Sequence, residues 1–180
     1  MHLDICLLTD NDLRDVGSFD CGAQNEPLTH YIKGAAFEDN RSGKTKTYLV
    51  KDLDKQEIAG YFSLRTSGFG YIEQGINQIN YVPAVELSEF AIHIDYQGQG
   101  LGTALFLGHI VPKVQKLAEE FGCQVILVYA WNENAIKFYQ KNNFMKIEDL
   151  GAFIEVKDIN KYLTITDDFS QGCNVFIYIL

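Results

Sequence analysis

The stretch Gln97-Gly98-Gln99-Gly100-Leu101-Gly102-Thr103 constrains this chain more than any other. It separates an apolar, strand-like run at residues 87–94 from a long segment whose apolar residues recur at helical spacing. A strand feeding a glycine-dense turn at the head of a helix presents several backbone N–H groups to an anion. Glycine lets the main chain approach that anion without a Cβ in the way, and it adopts positive φ where the turn demands it. A ligand carrying a pyrophosphate is therefore the first expectation. A glycine turn that binds nothing is the alternative.

Composition sets the frame. The chain has 180 residues, the size of about one domain, and at that size about 70% of the unfolded surface is buried on folding. With 47% hydrophobic and 22% charged residues it reads as a single globular domain over residues 1–180. No apolar run approaches the roughly 18 residues of a membrane span. Asp4 interrupts a signal-peptide reading, so a cytoplasmic location and no membrane partner are expected. Cys6, Cys21, Cys123 and Cys173 stand far apart without C-x-x-C spacing, which argues against zinc and disulfide frameworks. Cys6 and Cys123 sit in apolar runs and read as small buried hydrophobes. Neither the histidines nor the carboxylates are spaced as metal ligands, so no metal is expected.

The net charge of −9 repels phosphate backbones on average and argues against a generic nucleic-acid binder. Arg41, Lys44, Lys46 and Lys51 form the densest basic cluster, which reads as a solvated strand edge.

Periodicity orders the chain. Residues 2–8 read as a first strand. Asn25-Glu26-Pro27 is a helix start, and Leu28, Tyr31, Ile32, Ala35 and Ala36 keep helical spacing up to Asn40 before Gly43 breaks it. Residues 45–50 and 58–64 read as a hairpin, residues 68–80 as a loop, and residues 86–95 as a strand. The helix from Leu101 should kink or split at Pro112, which removes a backbone bond to Gly108. A strand at residues 124–130, a short helix capped by Asn132, and strands starting at Phe144 and at Asn174 complete the order. The result is an α/β chain with a mixed, mostly antiparallel sheet. Its last strand, residues 174–180, is a candidate edge for pairing two copies.

Three glycine-loop patterns compete for the turn. A dinucleotide fingerprint needs glycine or alanine where Thr103 stands, and belongs in a first βαβ unit rather than past the middle of the chain. A P-loop needs Gly-Lys-Ser/Thr, and no lysine follows before Lys113. The third pattern, Gln/Arg-x-x-Gly-x-Gly/Ala, fits as Gln97, Gly100 and Gly102. Downstream, Asn132, Ala135, Phe138, Tyr139 and Phe144 fit Asn-x-x-Ala-x-x-Phe/Leu-Tyr-x-x-x-Gly-Phe, with Asn143 at the glycine position. Asparagine tolerates positive φ, so the turn can survive the exchange.

With these two motifs the chain resembles the GNAT superfamily of acyl-CoA N-acyltransferases. The resemblance implies a GNAT-like fold with splayed central strands flanked by helices, and acetyl-CoA as cosubstrate. It implies that Gln97, Gly98, Gln99, Gly100, Leu101, Gly102 and Thr103 grip the pyrophosphate, and that Asn132 and Ala135 also line the coenzyme site. Backbone N–H groups around Phe90, Ala91 and Ile92 would polarise the thioester oxygen; the same residues also read as a central core strand.

The family's functional tyrosine falls on Tyr139, implied as the general acid that protonates the coenzyme A thiolate. A phenol of pKa about 10 donates to a thiolate whose acid lies near 8.5 only with help from position and desolvation. A core tyrosine on an amphipathic helix is the other reading. For the base, Glu86 and Glu89 point to opposite strand faces, so at most one faces a cleft. Glu89 is the candidate, against an ordinary solvated carboxylate.

The first third is similar to a narrower group. Phe19-Asp20-Cys21-Gly22, Leu28, Tyr31-Ile32, Ala36, Asn40 and Thr45-Lys46-Thr47-Tyr48 follow the pattern of GNAT toxins that acetylate the amino group of aminoacyl-tRNA. The leading expectation is an acetyl-CoA-dependent N-acetyltransferase acting on a primary amine, small or macromolecular. A toxin of the tRNA-directed kind is the alternative within the family, although the acidic chain disfavours tRNA. A non-catalytic acyl-CoA-binding sensor is the alternative outside enzymology.

Overall fold

The computed structural model describes residues 2–72, 79–147 and 174–180. Among the described residues, seven strands and five α-helices follow one another as β1 (Leu3–Leu7), α1 (Glu26–Lys33), α2 (Ala35–Ser42), β2 (Lys46–Asp52), β3 (Glu57–Ile72), β4 (Ile79–Ile92), α3 (Leu101–Leu105), α4 (Val111–Phe121), β5 (Val125–Ala130), α5 (Glu133–Lys141), β6 (Met145–Lys146) and β7 (Asn174–Ile179). The strands form one mixed sheet in the order β1-β2-β3-β4-β5-β7-β6. The β1–β2, β2–β3, β5–β7 and β6–β7 pairs are antiparallel, and β4–β5 is parallel. That parallel ladder joins only Ala84, Val85 and Glu86 to Val125, Ile126 and Leu127. The mixed α/β sheet expected from the sequence is present. The described residues fall into two compact units, Met1–Arg65 with Leu87–Gly108, and Thr66–Glu86 with His109–Leu180.

In the first unit, Leu8, Val16, Phe19, Ile32, Ala36, Leu49, Ile58, Tyr61 and Ala91 bury one contiguous core. The register partners Thr47 and Ser63 join their hydroxyls at 2.8 Å, satisfying two polar groups that lose water on burial. The expected helix over residues 28–40 is two helices. The chain leaves the helical basin at Gly34, with φ −139° and ψ −89°, and restarts in α2. Gly43 then ends α2 in the left-handed conformation, at φ 82°.

The basic cluster is largely neutralised inside this unit. Arg41 pairs with Asp10 and Glu38, Lys44 with Asp39, and Lys51 with Asp12 and Asp15. The Lys46 ammonium donates to the Asn40 carbonyl. Cys6 is half-buried, not fully buried as its apolar run suggests, whereas Cys21 is buried.

The second unit packs Phe69, Val82, Ala84, Val125, Leu127, Ile147 and Ile177 into its own core. The loop expected over residues 68–80 is largely strand, because β3 runs on to Ile72 and β4 begins at Ile79. Gly68 explains the mismatch: a Cβ there would fall on the Tyr81 phenol, whose hydroxyl donates to the Ser67 carbonyl. A glycine that reads as a loop signal instead makes room for a cross-strand aromatic ring. The rest of that expected loop, residues 73–78, lies outside the described residues, as do Cys173 and residues 148–173.

β4 also stops at Ile92 rather than at residue 95, and gives way to a single tight turn at Ile94–Tyr96. Pro112 splits the long helix as expected, with a π-type turn at Phe106–Ile110 leading into α4. The expected edge strand is a correction. β7 lies between β5 and β6, so its backbone is occupied on both sides where β6 reaches it. Cys123, like Cys6, is only half-buried. No helix among the described residues is long and apolar enough to cross a membrane.

Candidate active site

The glycine turn lies in the first unit. Gly98 has φ 72° and Gly100 φ 81°, and a Cβ at either position would meet no atom within 4 Å. Their backbone needs glycine for its conformation, while the space around them is open. Gly100 is the N-cap of α3, and the first intrahelical bond runs from the Ala104 N–H to its carbonyl. The N–H groups of Leu101, Gly102 and Thr103 therefore precede the first helical acceptor. Among the described residues no backbone acceptor meets the N–H groups of Gly98, Gln99 or Gly100 either.

Leu101 and Leu105 are buried and root the turn in the core. A run of main-chain donors without internal partners, at the positive end of a helix dipole and fronted by open space, fits a diphosphate.

Gln97 behaves differently from the other residues of the motif. Its carboxamide nitrogen donates to the Cys21 carbonyl at 3.0 Å and to the Ile92 carbonyl at 2.8 Å, and its backbone N–H donates to Ile94. Gln99 likewise spends its carboxamide on the Asp95 carbonyl at 2.7 Å. Both glutamines shape the turn.

The residues before the turn are tied down as well. Asp20 accepts the Ile94 N–H at 2.8 Å through its carbonyl, and its carboxylate accepts the Gly22 N–H. The Cys21 carbonyl accepts from Gln97, its N–H donates to the Thr29 hydroxyl oxygen, and its thiol donates to the Asn25 carbonyl. Burial pushes the Cys21 thiol above its ordinary pKa. Phe19 meets Tyr61 and His93 edge-on, at 5.4 and 5.7 Å between ring centres. The Phe-Asp-Cys-Gly segment, visible in the sequence as a pattern, is a backbone clamp on the end of β4.

On the other side, the Tyr96 hydroxyl donates to Asp52 at 2.9 Å and to Glu57 at 3.4 Å, and Lys55 lies over its ring. Burial and the bond to Asp52 push the Tyr96 phenol far up. Burial opposes the Asp52 charge, but the bonds from Tyr96 and from the Asp54 backbone hold its carboxyl below the usual range. Nothing in the sequence marks this triad.

Phe90, Ala91, Ile92 and Glu89 share the first unit with the turn. Ala91 is buried in the core; Glu89, Phe90 and Ile92 are half-buried. Gly60 approaches this segment so closely that a Cβ there would stand 2.8 Å from the Ala91 carbonyl. Sequence reasoning missed it, because its φ is unremarkable and only the neighbouring strand requires glycine. By strand alternation Glu89 shares the face of Ala91, toward Tyr61. Burial, with the Glu89 charge adding, holds the Tyr61 phenol well above its ordinary pKa, and its hydroxyl donates to the Leu28 carbonyl. Glu86, on the other face, is only 4% exposed.

Asn132, Ala135 and Tyr139 belong to the second unit. The Asn132 side chain accepts the Ala135 N–H at 2.9 Å, the N-cap bond expected from the sequence. Tyr139 is 7% exposed, with its ring against Phe138, Phe144 and Phe176 at 5.3, 4.9 and 6.3 Å.

The helix closes just past it. The Asn143 N–H bonds the Gln140 carbonyl, and the Phe144 N–H bonds the Tyr139 carbonyl. With Asn143 at φ 64°, this is a Schellman cap whose hydrophobic contact is Phe144 on Tyr139. Asparagine does sustain the turn where the family pattern has glycine.

Comparison with known proteins places this geometry. Over 99% of this chain and 94% of the other, at 23% identity and a TM-score of 0.70, the fold is that of a tyrosine-to-phenylalanine mutant of the toxin AtaT bound to the C-terminus of the antitoxin AtaR and acetyl-CoA. AtaT complexed with acetyl-methionyl-tRNAfMet aligns over 99% and 95% of the two chains, at 22% identity and a TM-score of 0.73. A tyrosine-to-phenylalanine mutant of KacT gives the same identity, coverage and score. The model of the acetyltransferase (GNAT) family matches residues 14–144, which include the clamp, the glycine turn and the Tyr139 helix. The chain belongs to the GNAT acetyltransferase family.

Proposed function

We propose that the chain transfers the acetyl group of acetyl-CoA to a primary amine, which attacks the thioester directly. The observation that carries this reading is the glycine turn, whose main-chain N–H groups at residues 98–100 and at the head of α3 lack internal acceptors among the described residues. Acetyl-CoA supplies the activated acyl group and a thiol as leaving group.

The chain's residues then divide the work. The turn holds the diphosphate through backbone donors. The N–H groups around Phe90, Ala91 and Ile92 polarise the thioester oxygen. Asn132 and Ala135 start the helix that carries Tyr139. Tyr139 is the general acid, its ring held in place by Phe144 and Phe176. Glu89 is the candidate base for a lysine-like amine, mostly protonated at neutral pH; an α-amino group, with pKa about 7.7 to 8.0, needs only an ordered water.

A second, finer reading takes the aminoacyl end of a tRNA as the acceptor. It is supported by the fold shared with AtaT complexed with acetyl-methionyl-tRNAfMet and by the Phe-Asp-Cys-Gly segment at residues 19–22. Against it stand the charge of −9 and the pairing of Arg41, Lys44 and Lys51 with carboxylates.

The test is thiol release from acetyl-CoA against a panel of amines and aminoacylated tRNAs. Turnover of any amine is the expected result, and turnover of aminoacyl-tRNA above the others selects the second reading. Tight acetyl-CoA binding with no turnover on any acceptor overturns both in favour of an acyl-CoA sensor. Expression in a bacterium adds an independent check, since a tRNA-directed toxin should stop translation and its Tyr139→Phe variant should not.

A further inference from the structure

We infer that Gln97 is a positioning residue, which sets the glycine turn through the Cys21 and Ile92 carbonyls, and not a ligand of the diphosphate. The assignment rests on the acetyl-CoA reading above and says how the site is held in shape. A glutamine carboxamide has two N–H donors. Both are engaged, by carbonyls at 3.0 and 2.8 Å, and the backbone N–H is engaged by Ile94. Gln97 has no N–H left for an anion, although it is the first residue of the motif.

What it does instead is join three segments. Cys21 lies 76 residues away in sequence, and its carbonyl also accepts from the Asn25 side chain. Thr29 on α1 fixes the Cys21 N–H, and the Asp20 carbonyl fixes the Ile94 N–H. The segment at residues 19–22 therefore determines where the first residue of the turn sits. Gly98 and Gly100 then aim the N–H groups that remain. Tyr96, bonded to Asp52, pins the opposite flank. Without the carboxamide the Ile92 carbonyl loses this donor and the Cys21 carbonyl keeps only the Asn25 amide, so the link between the two segments is cut and the turn loses its register against β4.

The experiment titrates coenzyme A calorimetrically into the full chain. Gln97→Met keeps the length of the side chain and removes its donors; Gln97→Arg restores donors that can reach both carbonyls. We expect Gln97→Met to bind about tenfold more weakly and Gln97→Arg to return within about threefold of the original affinity. Rescue by arginine separates positioning from a general loss of packing. Unchanged affinity in Gln97→Met, or an arginine variant as weak as the methionine one, overturns the assignment.

If circular dichroism shows Gln97→Met unfolded, Thr29→Val decides. It removes the acceptor for the Cys21 N–H, on α1 and outside the glycine turn, and should weaken coenzyme A about twofold to threefold. No change there also overturns the assignment. Failure of the unmodified chain to bind coenzyme A would sink the acetyl-CoA reading itself, and this one with it, a result legible before any variant is made.

Discussion

Two helix ends, one in each unit, use positive φ for opposite purposes. At the head of α3, Gly98 and Gly100 turn the chain so that a run of N–H groups is left without internal acceptors. At the foot of α5, Asn143 turns it so that the Asn143 and Phe144 N–H groups close onto Gln140 and Tyr139. The first end is polar and braced by side-chain amides. The second is internally satisfied and braced by the rings of Phe138, Phe144 and Phe176 around Tyr139. An open helix start can bind an anion; a closed helix stop can only hold a side chain still. In the proposed mechanism the first serves affinity and the second serves rate.

The sharpest way to break this division is Gly100→Glu. It places a carboxylate and a strained φ of 81° in the turn, and calorimetry should find no coenzyme A binding while the chain stays folded. Retained binding would put the ligand elsewhere. Tyr139→Phe addresses the other end. It keeps the ring packing, so coenzyme A affinity should hold while kcat falls about 100-fold in steady-state assays. An equal loss of affinity would mean that the two ends do not divide the work.

Smaller effects sharpen the contrast. Asn143→Val forces a β-branched residue to φ 64° and should cost about 1–2 kcal/mol in urea unfolding, whereas Asn143→Gly should stay within about 0.5 kcal/mol. Acid should act on the polar end first. Asp52, its carboxyl lowered in the folded chain, contributes stability that is complete above the unfolded value of about 3.9 and is lost as pH falls through the lower folded value. Protection from hydrogen exchange at the bonded Tyr96 and Gln97 N–H groups should therefore fall before protection at residues 142–144 as pH is lowered below 4. Tyr96→Phe, which removes the bond to Asp52, should shrink that acid-dependent difference.

Both helix ends were legible in the sequence because their causes are local. A glycine at positive φ, an N-cap asparagine and a Schellman cap act within four or five residues, so the string alone announces them. Tyr139 and Phe144 stand out in the sequence through the family pattern, and the cap brings their rings into contact. The break at Gly34 is invisible in the sequence because apolar spacing runs through it, and the stretch around Gly68 reads as loop because only Tyr81 explains that glycine.

What tertiary structure alone decided is which distant partners meet. Nothing near Gln97 foretells a bond to Cys21, nothing near Tyr96 foretells Asp52, and the last strand reads as an edge until β6 pairs beside it. Those contacts join residues tens of positions apart. Bringing such residues together carries a chain-entropy cost that the packed core as a whole must offset, so no short pattern encodes it.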